Sequence, residues 1–357
     1  MSVGGASLKL SDISSTNAQS TSDVKLGDVF YLAPLRGVTV RVFRNAFAEC
    51  FQTPDLALSP FVSTVAGTRV KPGLLNDIDS GVAQRIPLIP QVIGKDPAQL
   101  RVMLQEFKNL GYTCADLNAG CPWPFVMKKG RGSGLLWDHS NLARLLEAGC
   151  ELMNNGFSIK VRLGITQPDL LIGALDLINS FPLREVIIHA RTAQQMYEGV
   201  VLLDDFAAVC KLCRHPVVYN GDICSFQDFL YLKKRFPFIS RWMIGRGLSI
   251  DPFLMESIKQ ERHITRDIAR LKEFLDRALQ YSVDELAGDR PVLGRFKELW
   301  SYLHQGLRDG RRIWDSVKIC RSVTEYQRVV DSAFQRQLLF KNDLSRIFQM
   351  SLDNDKV

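Results

Sequence analysis

The chain has 357 residues, 46% of them hydrophobic and 23% charged, a soluble globular composition that predicts one large domain and a smaller one rather than a single core. No stretch reaches the roughly 18 consecutive apolar residues of a membrane span, and the polar first 25 or so residues lack the apolar core of a secretion signal. The net charge of +7 suits a polyanionic partner without requiring one.

Residues 1–26 read as a disordered polar tail. From residue 29 to about 260, short apolar runs alternate with helical patterns. The predicted strands are VFYLAP (29–34), DLALSP (55–60), PLIPQV (87–92), CADLN (114–118), FSIKVR (157–162), EVIIHA (185–190), PVVYN (216–220) and RWMIG (241–245). Between them lie amphipathic segments. Two of these, DPAQLRVMLQEFKNLGY and SNLARLLEAGCELMNNG, open on capping residues (Asp96 before Pro97, and Ser140) and run out at glycine. Alternation of this kind implies a parallel sheet, and eight strands over some 230 residues predict a closed (β/α)8 barrel across 27–262. A doubly wound open sheet is the competing fold, but no G-x-G-x-x-G follows the first strand.

Beyond about 265 only helical periodicity remains, predicting a small helical domain over 263–350. Between Arg290 and Arg321 eight basic residues face three acidic ones, with Trp300, Tyr302 and Trp314 interleaved. That pattern fits either a solvated basic face over core aromatics or a phosphate-backbone surface with stacking groups, in which Arg295, Lys297, Arg311 and Arg312 are the candidate RNA contacts.

Of the eight cysteines, Cys210 and Cys213 form a C-x-x-C without a second pair at zinc spacing. Reduced thiols and no metal site are expected.

In a barrel of this class the active site lies at the C-terminal ends of the strands. The unusual residues fall there in order: Pro34-Leu35-Arg36 after strand one, Gln91 in strand three, Asn118 and Cys121 after strand four, Lys160 and Arg162 in strand five, His189 and Arg191 in strand six, Asn220-Gly221-Asp222 after strand seven, and Gly245-Arg246 after strand eight. Glycines in NGD and IGRG let backbone N–H groups approach an anion, and Arg246 adds a charged fork, so these turns predict a phosphate pocket. Gln91 can donate and accept, matching an imide edge, and Lys160 can neutralise charge on a reduced ring. FMN meets these demands; a phosphosugar meets the phosphate part equally well. Cys121 stands in a Gly-Cys-Pro turn at the barrel mouth, placed to act as nucleophile or proton donor. No base near it in sequence favours the nucleophile.

With LAPLRGVT, QVIG, DLNAGCPWPFVMKKGRGSGLL, KVRLG, HARTAQQMYEG, YNGDI and MIGRG in order, the sequence resembles the tRNA-dihydrouridine synthases over about residues 29–325. The resemblance implies an FMN-binding barrel followed by a helical tRNA-binding domain, acting as a cytoplasmic monomer without metal. NADPH would be the electron donor, and hydride would pass from flavin N5 to C6 of a flipped-out uridine. Carried over residue by residue, Pro34, Leu35 and Arg36 would line the flavin, and Gln91 and Lys160 would bond its pyrimidine edge. His189, Asn220, Gly221, Asp222, Gly245 and Arg246 would hold its ribityl chain and phosphate. Asn118, with Arg162 and Arg191, would meet the substrate, and Cys121 would protonate C5. Two positions depart from the family pattern: Leu35 stands where methionine is usual, and Val40 where an acidic residue is usual. Rival readings are a dihydroorotate-type FMN enzyme, a non-catalytic RNA-binding barrel, a Schiff-base aldolase using Lys160, and a synthase acting on ribosomal RNA.

Overall fold

A computed structural model describes residues 27–336 and 338–347; the tail expected to be disordered, 1–26, lies outside them. Ten strands form one parallel sheet: β1 Val29–Leu32, β2 Leu56–Leu58, β3 Val62–Ser63, β4 Leu88–Ile89, β5 Gln91–Ile93, β6 Ala115–Ala119, β7 Phe157–Gly164, β8 Val186–Thr192, β9 Val217–Asn220 and β10 Arg241–Ile244. All eight predicted strands are among them. The surplus arises at two interruptions. Pro90 has no N–H for the ladder and splits one predicted strand into β4 and β5. Residues 59–61 separate β2 from β3, an element absent from the sequence reading.

These breaks do not open the sheet. β1 pairs with β10 on one side and β2 on the other; β2 pairs with β4, and β3 with β5, which continues to β6. Across the gap the Ser59 N–H donates to the Ile89 carbonyl (3.0 Å), and the Ser59 hydroxyl accepts the Gln91 N–H (3.0 Å). The strands therefore close as the predicted (β/α)8 barrel.

Side chains alternate across a strand, so one set fills the barrel and the other meets the surrounding helices. Tyr31, Leu56, Leu58, Ile89, Ile187, Val218 and Met243 form the inner plug. Beneath it Glu185 accepts from the Tyr31 hydroxyl (2.8 Å) and Arg241 (2.7 Å), closing the bottom with a buried ion pair.

Helix Pro97–Asn109 is capped by Asp96 as expected, the carboxylate accepting from the Ala98 and Gln99 N–H groups. The cap expected at Ser140 is corrected: helix His139–Met153 is capped two residues earlier, by Asp138, whose carboxylate accepts the Asn141 N–H (2.9 Å). It ends on left-handed Asn154 rather than at glycine. Val40 sits at the start of helix Arg41–Cys50, where it offers no cap. Asp77, from a turn 36 residues away, takes the Arg41 N–H (2.5 Å) and pairs with Arg44. A carboxylate is thus supplied at this helix start from a distant turn.

After β10 the chain is helical. Ile268–Glu285, Asp289–Leu303, Gly310–Ile319 and Val323–Gln335 are the long helices. They do not form a detached lobe. Phe274 packs edge-on to Phe43 (5.5 Å) and Phe51 (5.5 Å), so the apolar core runs from barrel to tail. Among the described residues no helix is long and apolar enough to cross a membrane.

Candidate active site

The strand register fixes the site. Asn118 on β6 is level with Lys160 on β7, Arg162 with His189 on β8, and His189 with Asn220 on β9. Each points inward at the C-terminal rim, because Ser158, Lys160 and Arg162 share one face of β7 and His189 and Arg191 one face of β8. Together they line a cleft open to solvent at its mouth. Of the expected residues, Pro34, Leu35, Arg36, Asn118, Cys121, Lys160, Arg162, His189, Asn220, Gly221, Asp222, Gly245 and Arg246 all reach it.

Four residues form a chain of bonds beneath the thiol. The Asp116 carboxylate accepts from the Gln91 amide (2.7 Å) and the Ser158 hydroxyl (2.9 Å). The Gln91 carbonyl accepts from the Asn118 amide (2.8 Å), and the Asn118 carbonyl accepts the Cys121 N–H (2.9 Å). Gln91 is fully buried one layer below the cleft rather than lining it. Burial pushes the Asp116 carboxyl up to about 7, against the opposing hydrogen bonds of Gln91 and Ser158 and the charge of Lys160.

Burial also raises the Cys121 thiol, although the Trp123 N–H and the charges of Arg162, Arg36 and Lys160 pull the other way. Cys121 therefore carries its proton at neutral pH, the form that can donate one. Lys160 donates to the Asn220 carbonyl (3.0 Å), and the Asn220 amide donates to the Met243 carbonyl (2.9 Å). Burial, helped by Arg162, lowers the Lys160 ammonium to about 8. His189 is pushed well below its ordinary range by burial and by Arg162, Lys160, Arg191 and Arg246. It is a neutral imidazole at pH 7.

Strands β9 and β10 end in the expected anion cradle. Gly221 has φ +149° and Asp222 φ +46°, and no hydrogen bond from the Asp222 or Ile223 N–H is found among the described residues. A Cβ on Gly245 would sit 3.1 Å from the Ala33 methyl, so glycine keeps this wall open. Asp222 accepts from Arg191 and Arg246 together; burial alone would raise its carboxyl, but those two guanidiniums hold it below the usual range.

Arg191, expected on the substrate side, is not there. It is 1% exposed, and its guanidinium is spent on the Glu198 carbonyl (3.1 Å), the Gly199 carbonyl (2.6 Å) and Asp222. Its place is behind the cradle. Arg162 donates to the carbonyls of Gly120 (3.0 Å), Thr192 (2.9 Å) and Met196 (2.6 Å) while lining the cleft.

Two contributors went unassigned in the sequence. Tyr197, inside the HARTAQQMYEG motif, lies between Arg162 (5.2 Å) and Arg246 (5.5 Å) and walls the cleft. Asp116 was legible in principle, since alternation puts it on the face of Asn118.

In the helical region Arg295 pairs with Glu285 (2.8 Å), Lys297 donates to the Cys320 carbonyl (2.9 Å), and Arg311 pairs with Asp315 (3.2 Å). Arg312 is exposed. Trp300, one of the aromatics considered for stacking, is instead wholly buried, its indole donating to the Tyr326 hydroxyl (3.1 Å).

Residues 31–338 match the family described as "Dihydrouridine synthase (Dus)". The chain is 28% identical over 317 residues to the "Probable tRNA-dihydrouridine synthase" of Staphylococcus epidermidis, covering 85% of this chain and 93% of that one. It is 29% identical over 323 residues to the "Probable tRNA-dihydrouridine synthase 2" of Bacillus subtilis, covering 87% and 95%. The solved structure of morphinone reductase in complex with tetrahydroNAD superposes with a TM-score of 0.49 at 10% identity, over 68% of this chain and 89% of that one.

Proposed function

The chain belongs to the dihydrouridine synthase family, and from that premise we propose that it reduces the C5–C6 double bond of uridine in tRNA, with FMN as bound cofactor and NADPH as electron donor. In this reading the barrel, 27–262, carries the chemistry and the helical region, 263–350, helps hold the RNA. The observation that carries the reading is one cleft in which a protonated thiol, Cys121, faces the same space as Lys160, neutral His189 and an anion cradle.

The residues fit a flavin phosphate. The open N–H groups of Asp222 and Ile223 and the fork of Arg246 are donors, and two arginines against one Asp222 leave the cradle net positive. Lys160 is set to neutralise a negative ring, which would draw its lowered ammonium back to the charged form. When bound, FMN would supply the hydride that C6 of the uracil receives. Cys121 gives the proton to C5, Asn118 fixes the turn that carries the thiol, and Arg162 with Tyr197 walls the pocket that the flipped base enters.

The test is single turnover. The protein should purify yellow, and its reduced flavin should reoxidise on mixing with an unmodified tRNA transcript, which gains two hydrogens per uridine reduced. Reoxidation by orotate or free uracil but not by tRNA would replace the reading with a small-molecule reductase. Reoxidation by ribosomal RNA alone would move the substrate.

A further inference from the structure

Beyond the reacting groups, the barrel rim carries a feature the chemistry leaves unused. Past Cys121 the chain turns into the short helix Pro124–Met127 and the 3-10 turn Gly132–Trp137. This loop is tied down. The Ser133 N–H donates to the Cys121 carbonyl (3.1 Å), and the Val126 and Met127 N–H groups donate to the Trp123 carbonyl (2.9 and 3.0 Å). Gly132, at φ +57°, packs so closely that a Cβ there would meet the Cys121 carbonyl oxygen at 2.7 Å.

What so ordered a loop displays is therefore fixed, and it displays aromatic rings. Trp123 is 55% exposed and Phe125 71%. Rings of this size are ordinarily covered. Trp123 also forms part of the cleft wall, so the exposed surface is continuous with the site. Along this segment the charge has one sign. Lys128 and Lys129 are exposed, Arg131 is half-buried, and no acidic residue occurs from Leu117 to Trp137. The Lys129 ammonium lies 4.1 Å from the Phe125 ring centroid.

Flat rings interleaved with lysines match a single-stranded nucleotide, which offers a π-face and a phosphate in each unit. They match a protein partner less well, because lysine is depleted from protein–protein interfaces. Resting on the reading above, we propose that Trp123 and Phe125 form a stacking platform for an unpaired base adjacent to the uridine that enters the cleft, with Lys128 and Lys129 on its flanking phosphates. The platform explains why the loop after the thiol is both rigid and apolar on its outer side. It also moves the stacking role from Trp300 in the tail, which is core, to the barrel rim.

The experiment measures affinity for an unmodified tRNA transcript and for a short oligouridylate at several salt concentrations. Trp123→Ala and Phe125→Ala should each weaken binding about five-fold or more, with the slope of log affinity on log salt unchanged, because stacking releases no counterions. Trp123→Phe and Phe125→Tyr should recover most of the loss. The double variant Lys128→Gln with Lys129→Gln should flatten the slope by roughly 1.4–1.8, at about 0.7–0.9 per phosphate. Alanine variants that bind like the wild type overturn the platform, as does a loss accompanied by a flatter slope, which would mean that the rings only position the lysines. A change in oligomeric state with unaltered RNA affinity would reassign the patch to a second copy of the chain. If the wild type reduces tRNA and only these variants behave as wild type, the platform falls and the proposed reaction stands. If the wild type binds neither RNA, both fall.

Discussion

Arg162, Arg191 and Arg246 line or underlie the barrel cleft, whereas Arg295, Arg311 and Arg312 lie on the helical region. The first three are largely buried, and each guanidinium is held by backbone carbonyls, by Asp222 or by both. The other three are partly or wholly exposed; two pair with acids of the helical region, and Arg312 is left to solvent. A buried charge without a partner costs several kcal/mol, so in the barrel pairing is compulsory and dictates geometry. On the surface the same pairing is worth about 0–1 kcal/mol and leaves cations available to a phosphate. Arginines that look equivalent in the sequence therefore divide into those that build a site and those that can meet a polyanion.

If that division holds, chemistry belongs to the barrel alone. Cys121→Ala should slow single-turnover reduction of uridine by about 10²–10⁴-fold, while tRNA affinity, set elsewhere, changes by no more than a few-fold. The pH profile sharpens the point. Because burial raises the thiol, the acid form persists through neutrality, and the rate should hold level there and fall only above the ordinary thiol range. A decline already below pH 7 would identify another proton donor.

The next largest effect should come from the anion cradle. Asp222→Ala strips the shared counter-charge from Arg191 and Arg246 and should cost about 3–5 kcal/mol in denaturant unfolding. Asp222 has a left-handed backbone, which asparagine tolerates, so Asp222→Asn separates lost charge from backbone strain. Since the folded carboxyl lies below its ordinary range, its contribution is present above the ordinary carboxylate pKa and is lost as pH falls through the folded value. A loss below 1 kcal/mol for Asp222→Ala would erase the distinction between cleft and surface.

What the sequence disclosed follows the same physics. All eight strands were legible because a buried parallel strand is a continuous apolar run, and the rim residues were legible because strand ends are ordered along the chain. Local reading failed where a partner comes from far away. Nothing near Val40 announces that Asp77 will supply the carboxylate, and nothing near Arg191 shows that Asp222 will claim it. Pro90 was visible, but its effect depends on Ser59, just past the end of neighbouring β2. Trp300 and Trp123 differ by burial, which residue type alone does not reveal.

Glu285 tests the border between the two regions. It pairs with Arg41 at the first barrel helix (3.0 Å) and with Arg295 in the tail (2.8 Å), every side chain of the trio partly exposed. Glu285→Ala should cost about 1 kcal/mol, more than an isolated surface pair but far less than Asp222→Ala. A cost near that of Asp222→Ala would make this junction behave as interior.

The smallest expected effect is the most specific to the helical region. Arg312 has no ion pair among the described residues and lies beside Arg308 and Arg311 on one shallow surface. Arg312→Ala should leave the unfolding midpoint where it is, because no partner is stranded. If RNA lies across this surface, the substitution removes one phosphate contact. The slope of log affinity on log salt should then flatten by roughly 0.9 for a duplex phosphate. Arg295→Ala should do the reverse, lowering stability slightly through Glu285 while leaving the slope alone. An unchanged slope for Arg312→Ala, with a clear change for Lys128 and Lys129, would place the RNA on the barrel rim and leave the basic helix face to solvent.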